Sequence, residues 1–158
     1  LRRSRGLGDV YKRQALLLIF LNLLSFLIAS SLLILVIFYP LAKRIMNVPQ
    51  IILGIVFSGG ILMAFSASAN ELPLIAFVLM FANFCWIFSY DTAYAMTDRD
   101  DDKFLNIGNS SNFFKGNEKL VIWLGSLINF FLIFVTGLNE NINSYFYIFS
   151  IINGFFLI

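Results

Sequence analysis

From residue 15 onward the chain alternates long apolar runs with short polar connections. A helix needs about 20 residues at 1.5 Å each to cross a bilayer. Runs of that order fall at 15–39, 51–69, 72–90 and 120–138, with a shorter one at 142–158. The pattern predicts five membrane segments. The first run is long for one span, and Asn22 in its middle is a candidate turn between the tail of one helix and the start of the next; hydropathy leaves both readings open. Asn106 to Asn117, NIGNSSNFFKGN, reads as an irregular connection with its Phe113–Phe114 pair dipping into the membrane interface. There is no internal repeat.

Composition agrees with the periodicity. Of 158 residues, 59% are hydrophobic and 13% charged, far from the balance of a soluble domain. The expected fold class is all-α, a multi-span transmembrane helical bundle. A lone cysteine, Cys85, cannot form an internal disulfide, and the absence of histidine excludes Ser-His-Asp triads, Cys-His pairs and His-ligated zinc. Catalysis in such a chain falls to carboxylates, hydroxyls, Lys, Arg or a hard metal.

The first fourteen residues, LRRSRGLGDVYKRQ, hold five of the eleven Lys and Arg residues without apolar periodicity. They read as a translated linker or adapter; the alternative is a basic juxtamembrane segment on anionic headgroups. The start without methionine and the end inside SIINGFFLI fit an internal piece of a larger protein, with 15–158 as a membrane domain truncated at both ends.

The remaining six Lys and Arg residues, Lys43, Arg44, Arg99, Lys103, Lys115 and Lys119, lie in two connections, 40–50 and 91–119. The connections near 70–73 and 138–143 carry only Glu71 and Glu140. Alternating spans put both basic connections on one side, which the positive-inside rule makes the cytoplasm.

That side also receives YDTAYAMTDRDDD, where Asp91, Asp98, Asp100, Asp101 and Asp102 follow directly on an apolar run. Were the helix to continue past Tyr90, Asp91, Tyr94, Asp98 and Asp102 would share one face within about 80°. Carboxylates there repel one another and meet the unfavourable end of the helix dipole. Two unit charges about 4 Å apart cost about 1 kcal/mol in water and about 4 kcal/mol at an effective dielectric of 20. Such a cluster calls for a cation, and Mg²⁺, held by one or two carboxylates and phosphate oxygens, suits it. The blander reading is a solvated acidic loop, against which stands its start at the membrane boundary. Lys43 and Arg44 in YPLAKR read first as positive-inside anchors and second as phosphate contacts. Asn83, Cys85, Ser89, Ser66 and Ser68 read as interhelical hydrogen bonding or close packing.

DTAYAMTDRDDD resembles the second aspartate-rich motif of the UbiA-type intramembrane prenyltransferases, in its 4-hydroxybenzoate polyprenyltransferase branch. YPLAKR at 39–44, VPQIILG at 48–54, MAFSA at 63–67 and FANFCWIFSYDTAYAMTDRDDD at 81–102 stand in the family's order, and the similarity covers most of 23–138. The resemblance implies part of a nine-helix fold around a cavity open to the membrane. Two aspartate motifs at its cytoplasmic end would hold Mg²⁺ against a polyprenyl diphosphate, whose chain passes to the ring carbon ortho to the phenol of 4-hydroxybenzoate in ubiquinone biosynthesis. It implies Asp91, Asp98 and Asp102 as metal and diphosphate carboxylates, and Asp91 and Asp98 as catalytic. Lys43, Arg44, Tyr94 and Arg99 would be diphosphate contacts or supports of the motif. The implied partners are polyprenyl diphosphate, 4-hydroxybenzoate and the lipid bilayer of a bacterial inner membrane, with no nucleic acid; oligomeric state stays open. The family's NDxxDxxxD motif would lie upstream of residue 15, so the piece is expected to be inactive alone. Where relatives carry Lys-Ser-Thr, this chain has Gly108-Asn109-Ser110. Competing readings are a UbiA-type enzyme for haem, naphthoate or chlorophyllide acceptors, and a cation-coupled transporter, which would carry acids near mid-membrane.

Overall fold

A computed structural model of the chain describes residues 21–105, 107–140 and 142–157. The suspected linker at 1–14 and the start of the first apolar run lie outside the described residues. The elements are α1 (Leu23–Ile45), α2 (Gln50–Ala69), α3 (Leu74–Thr97), α4 (Arg99–Phe104), α5 (Ser110–Phe113), α6 (Glu118–Asn139) and α7 (Ser144–Leu157). Among the described residues there is no strand, and α1, α2, α3 and α6 are long and apolar enough to cross a membrane. At 14 residues, α7 is shorter.

Local chemistry sets the helix ends. Asn22 does mark a boundary: it is the N-cap of α1, accepting the Ser25 N–H at 2.8 Å. The helix then runs through Pro40 to Ile45, beyond the apolar run. Lys43 and Arg44 therefore sit in its last turn, where cations meet the negative end of the dipole, and not in a loop. Pro49 opens α2, where its missing N–H costs nothing. Asn70 closes α2 in the left-handed conformation (φ 56°), and Pro73 begins α3. Gly116 turns the chain into α6 at φ +91°, which glycine alone adopts without strain.

The central helix is α3, packed between α2 and α6; α1 lies on α2 and α7 on α6. Packing is through small and polar residues. Buried positions are Gly54, Ser58, Gly59 and Ser66 on α2, Ala82, Cys85, Ser89 and Thr92 on α3, and Ser126, Asn129, Thr136 and Gly137 on α6. Leu, Ile and Phe side chains point outward along the spans. This inversion of the water-soluble arrangement is what a bilayer selects. Lipid solvates large apolar groups, so helices gain by close backbone approach and by hydrogen bonds without water as competitor.

Within the spans, close approach occurs at four glycines. A Cβ on Gly59 would lie 2.5 Å from Leu32, on Gly54 2.8 Å from Phe84, on Gly125 2.1 Å from Ser89 Oγ, and on Gly137 2.3 Å from Phe146. The hydrogen bonds are Ser25 to Ser66 (Oγ–Oγ 2.7 Å), Asn83 Nδ2 to Ser58 Oγ (3.3 Å), Asn129 Nδ2 to the Ala82 carbonyl (2.8 Å), and the Asn22 amide to the Ser66 carbonyl. Each contributes of order 0.6 kcal/mol by analogy with measured transmembrane pairs. The polar residues read from sequence inside the spans thus serve interhelical bonding or close packing, Ser89 bonding its own Cys85 carbonyl while buried against Gly125; the exception is Ser68, exposed on its own helix.

Candidate active site

One end of the bundle gathers the charge. There the last turn of α1, the start of α2, the end of α3, the α4–α5 segment and the start of α6 meet. They carry all six basic residues of the described chain together with Asp91, Asp98, Asp100, Asp101, Asp102 and Glu118. The opposite end has Glu71 and Glu140.

The acidic stretch does not form a single helix. Asp98 leaves the helical conformation (φ −93°, ψ 6°), ending α3, and α4 starts at the next residue. Electrostatics accounts for the break. In an unbroken helix Asp100, Asp101 and Asp102 would sit at the negative end of a long dipole; in α4 they occupy a first turn, with Lys103 in the last. The Asp102 N–H donates to the Asp98 carbonyl at 2.9 Å, the first bond of α4.

Asp91 is half-buried near the end of α3, and the charges acting on it are Lys43 from α1 and Asp98. Tyr39, on α1, lies within reach of Lys43, Asp91 and Asp102, and the Lys43 ammonium sits 5.3 Å from the centre of its ring. Tyr39 and Lys43 of α1 thereby share one electrostatic neighbourhood with Asp91 of α3, Asp98 at its end and Asp102 of α4, at least 48 residues on in sequence (Lys43 to Asp91). Tyr94 is exposed beside Tyr90, with ring centres 5.9 Å apart, and Arg44 is exposed. Sequence reading gave Tyr39 no role. Its place four residues before Lys43, one helical turn, was the available signal.

Arg99 is turned to a different task. Its Nη2 pairs with the Glu118 carboxylate and its Nε donates to Ser111 Oγ at 2.8 Å. Its carbonyl accepts from Asn112 Nδ2 at 3.3 Å, while Glu118 Oε2 accepts the Gly116 N–H at 2.8 Å. This clasp ties α4 to α5 and α6; it is the one ion pair among the described residues.

The 106–117 connection is more ordered than its composition predicts. Asn109, Ser110 and Ser111 are buried, and Gly108 docks on the α1–α2 turn. The Gly108 N–H donates to the Lys43 carbonyl at 2.7 Å, and a Cβ there would lie 1.8 Å from the Met46 oxygen. The Ser110 N–H donates to Gln50 Oε1 at 3.2 Å. Phe114 packs edge-on against Phe88 of α3, ring centres 6.3 Å apart, while Phe113 is exposed. A cavity of about 400 Å³ opens here, lined by Asn47, Ile107, Gly108, Asn109, Asn112 and Phe113. Thr92 Oγ1 and Ser110 Oγ are buried without a hydrogen-bond partner among the described residues.

The donor set fits a hard divalent cation as part of a coordination sphere. Asp91, Asp98 and Asp102 offer carboxylate oxygens of the kind Mg²⁺ takes alongside phosphate oxygens and water. Among the described residues no three carboxylates or thiols converge closely enough to hold an ion alone.

Apolar helices packed through small residues, with acids and cations gathered at one mouth of the bundle, define an integral membrane protein with a candidate site at that mouth. The chain belongs to the UbiA prenyltransferase family, whose profile matches residues 14–158. It is similar to the 4-hydroxybenzoate octaprenyltransferase of Francisella tularensis subsp. novicida (strain U112), 37% identical over 140 residues, covering 89% of this chain and 49% of the relative. The protein of the same description from Blochmanniella floridana is 34% identical over 167 residues, covering 98% and 59%. The chain thus spans about half the length of the curated relatives it matches. No solved structure matches it.

Proposed function

We propose that the chain supplies one side of the diphosphate site of a 4-hydroxybenzoate polyprenyltransferase in ubiquinone biosynthesis, with the charged end facing the cytoplasm of a bacterial inner membrane. The observation that carries the reading is the shared electrostatic neighbourhood of Tyr39, Lys43, Asp91, Asp98 and Asp102 at the bundle mouth, in a chain of this family. The substrates are polyprenyl diphosphate, whose tail the bilayer accommodates, and 4-hydroxybenzoate.

In the reaction the allylic C–O bond of the donor breaks and diphosphate leaves with the electron pair. The ring carbon ortho to the phenol forms the new C–C bond, and the proton it carried is lost. Asp91, Asp98 and Asp102 would hold Mg²⁺, which, when bound, neutralises charge on the departing diphosphate. Lys43 presents an ammonium to the same region, and Arg44 follows it at the end of α1 as a further diphosphate contact. Asp91, half-buried and closest to the apolar interior, would accept a proton from the acceptor or orient its phenol. Tyr94 borders the acidic segment. Arg99 acts at one remove, through the clasp that fixes α4. The apolar spans keep water from the electron-deficient allylic carbon.

The transporter reading finds no support: among the described residues no span carries an acid at its centre. The test is Asp91→Ala and Asp98→Ala in the full-length protein, assayed with 4-hydroxybenzoate, polyprenyl diphosphate and Mg²⁺. Prenyl transfer is expected to fall at least about a hundredfold with membrane insertion intact. Wild-type turnover in either variant would overturn its assignment.

A further inference from the structure

We infer that Asn109 is a positioning residue for Asp102: its neutral amide holds one carboxylate oxygen in place while leaving the group its full negative charge for a divalent cation. The inference rests on the reading that Asp102 serves the cation and diphosphate.

Asn109 Nδ2 donates to Asp102 Oδ2 at 2.6 Å and to the Ala95 carbonyl at 3.1 Å, and its Oδ1 accepts the Ser111 N–H at 2.7 Å. The orientation of the amide follows from its partners. Two are pure acceptors and one a donor, so exchanging N and O would set oxygen against oxygen twice. The side chain is 2% exposed, and all three of its bonds are spoken for. Such a group is a fixed point, and the chain on either side of it is fixed as well. Gly108 is pinned to Lys43 and Met46, and Ser110 to Gln50, so α1, α2, α3 and α5 all bear on this one amide.

By contrast α4 buries none of its residues, and Asp100, Asp101, Lys103 and Phe104 are exposed. Arg99 fixes its start through Glu118; Asn109 is what reaches Asp102. The nature of the donor matters. A lysine or arginine in this contact would hold the carboxylate equally well but would also neutralise it. An amide imposes geometry without charge compensation, and no cation pairs with Asp102 among the described residues. Among the described residues the side-chain hydrogen bond that reaches the Asp102 carboxylate is that of Asn109, on Oδ2.

Outer groups that orient a metal-binding carboxylate typically change affinity about ten- to hundredfold when removed. The experiment uses the full-length protein in detergent, with Mn²⁺ as a spectroscopically visible probe in the presence of inorganic pyrophosphate. Free Mn²⁺ is read by electron paramagnetic resonance for the wild type, Asn109→Leu, Asn109→Ala, Asp102→Asn and the Asn109→Ala/Asp102→Asn double variant. Asn109→Leu keeps the volume, removes the donor and adds no charge beside Asp102, so it covers the case in which the alanine variant fails to fold. The expected result is an Mn²⁺ dissociation constant about tenfold or more above wild type for the Asn109 variants, with no further loss on adding Asn109→Ala to Asp102→Asn. Wild-type affinity in a folded Asn109 variant, or a loss that adds in full to that of Asp102→Asn, would overturn the positioning role alone. A wild-type protein that binds no Mn²⁺ with pyrophosphate would overturn the reading of the site itself.

Discussion

Replacing Gly125 with alanine tests whether the approach of α3 to α6 sets the position of the acidic end. The added Cβ would lie 2.1 Å from Ser89 Oγ and 3.0 Å from the Cys85 carbonyl oxygen. Ser89 can rotate away only by giving up its 2.9 Å bond to the Cys85 carbonyl, and that carbonyl belongs to the backbone of α3. The helices must therefore separate. Overpacking of this kind costs about 1–3 kcal/mol, which lowers the folded-to-unfolded ratio roughly five- to 150-fold. Ser89→Ala removes the nearer obstacle and is expected to restore part of the loss, the contact with the Cys85 carbonyl accounting for the remainder. Gly60→Ala is the control: nothing lies within 4 Å of a Cβ there, and alanine gains up to about 1 kcal/mol of helix propensity. Denaturant titration of the detergent-solubilised protein, followed by tryptophan fluorescence, reads Gly125→Ala, the Gly125→Ala/Ser89→Ala double variant and Gly60→Ala against wild type. Because Asp91 follows Ser89 by two residues on the same helix, prenyl transfer should drop with stability in Gly125→Ala. A Gly125→Ala protein as stable as Gly60→Ala, or no recovery with Ser89→Ala, would refute the argument.

Two further outcomes are expected. Gly108→Ala, whose Cβ would meet the Met46 backbone oxygen at 1.8 Å, should undock the α4–α5 segment and abolish activity while membrane insertion persists, as judged by carbonate extraction; an active variant would separate the docking from the reaction. In intact cells, a cysteine at position 140 should react with a membrane-impermeant maleimide and one at position 115 should not, with buried Cys85 silent in both; the reverse pattern would invert the orientation.

The spans at 51–69, 72–90 and 120–138 were legible because lipid demands a length of apolar sequence and little else. Their ends were not, since hydropathy marks the edge of the hydrocarbon and a helix may outlast it: α1 continues through Pro40 to Ile45, and α3 to Thr97. Asn22 was legible as a boundary because a capping side chain is a local device. The acidic face was legible only in part. Projecting Asp91, Tyr94, Asp98 and Asp102 at 100° per residue assumes an unbroken helix, and the break at Asp98 arises from the charges themselves. The role of Arg99 depends on Glu118, nineteen residues on, and that of Gly108 on Met46, sixty-two residues back. Contacts at such separations leave no periodic trace. A stretch of Gly, Asn and Ser reads as loose chain until its neighbours are known.

The placement of small residues within the bundle and large ones around it reverses the usual map of mutational tolerance. A saturation survey scored for expression would show the exposed Leu, Ile and Phe positions of the spans exchanging freely among themselves, because a fluid surrounding adapts to any contour. The least replaceable sites would be those with almost no side chain, Gly59, Ser66, Ser89 and Gly125, where the missing volume is itself the information that the sequence carries.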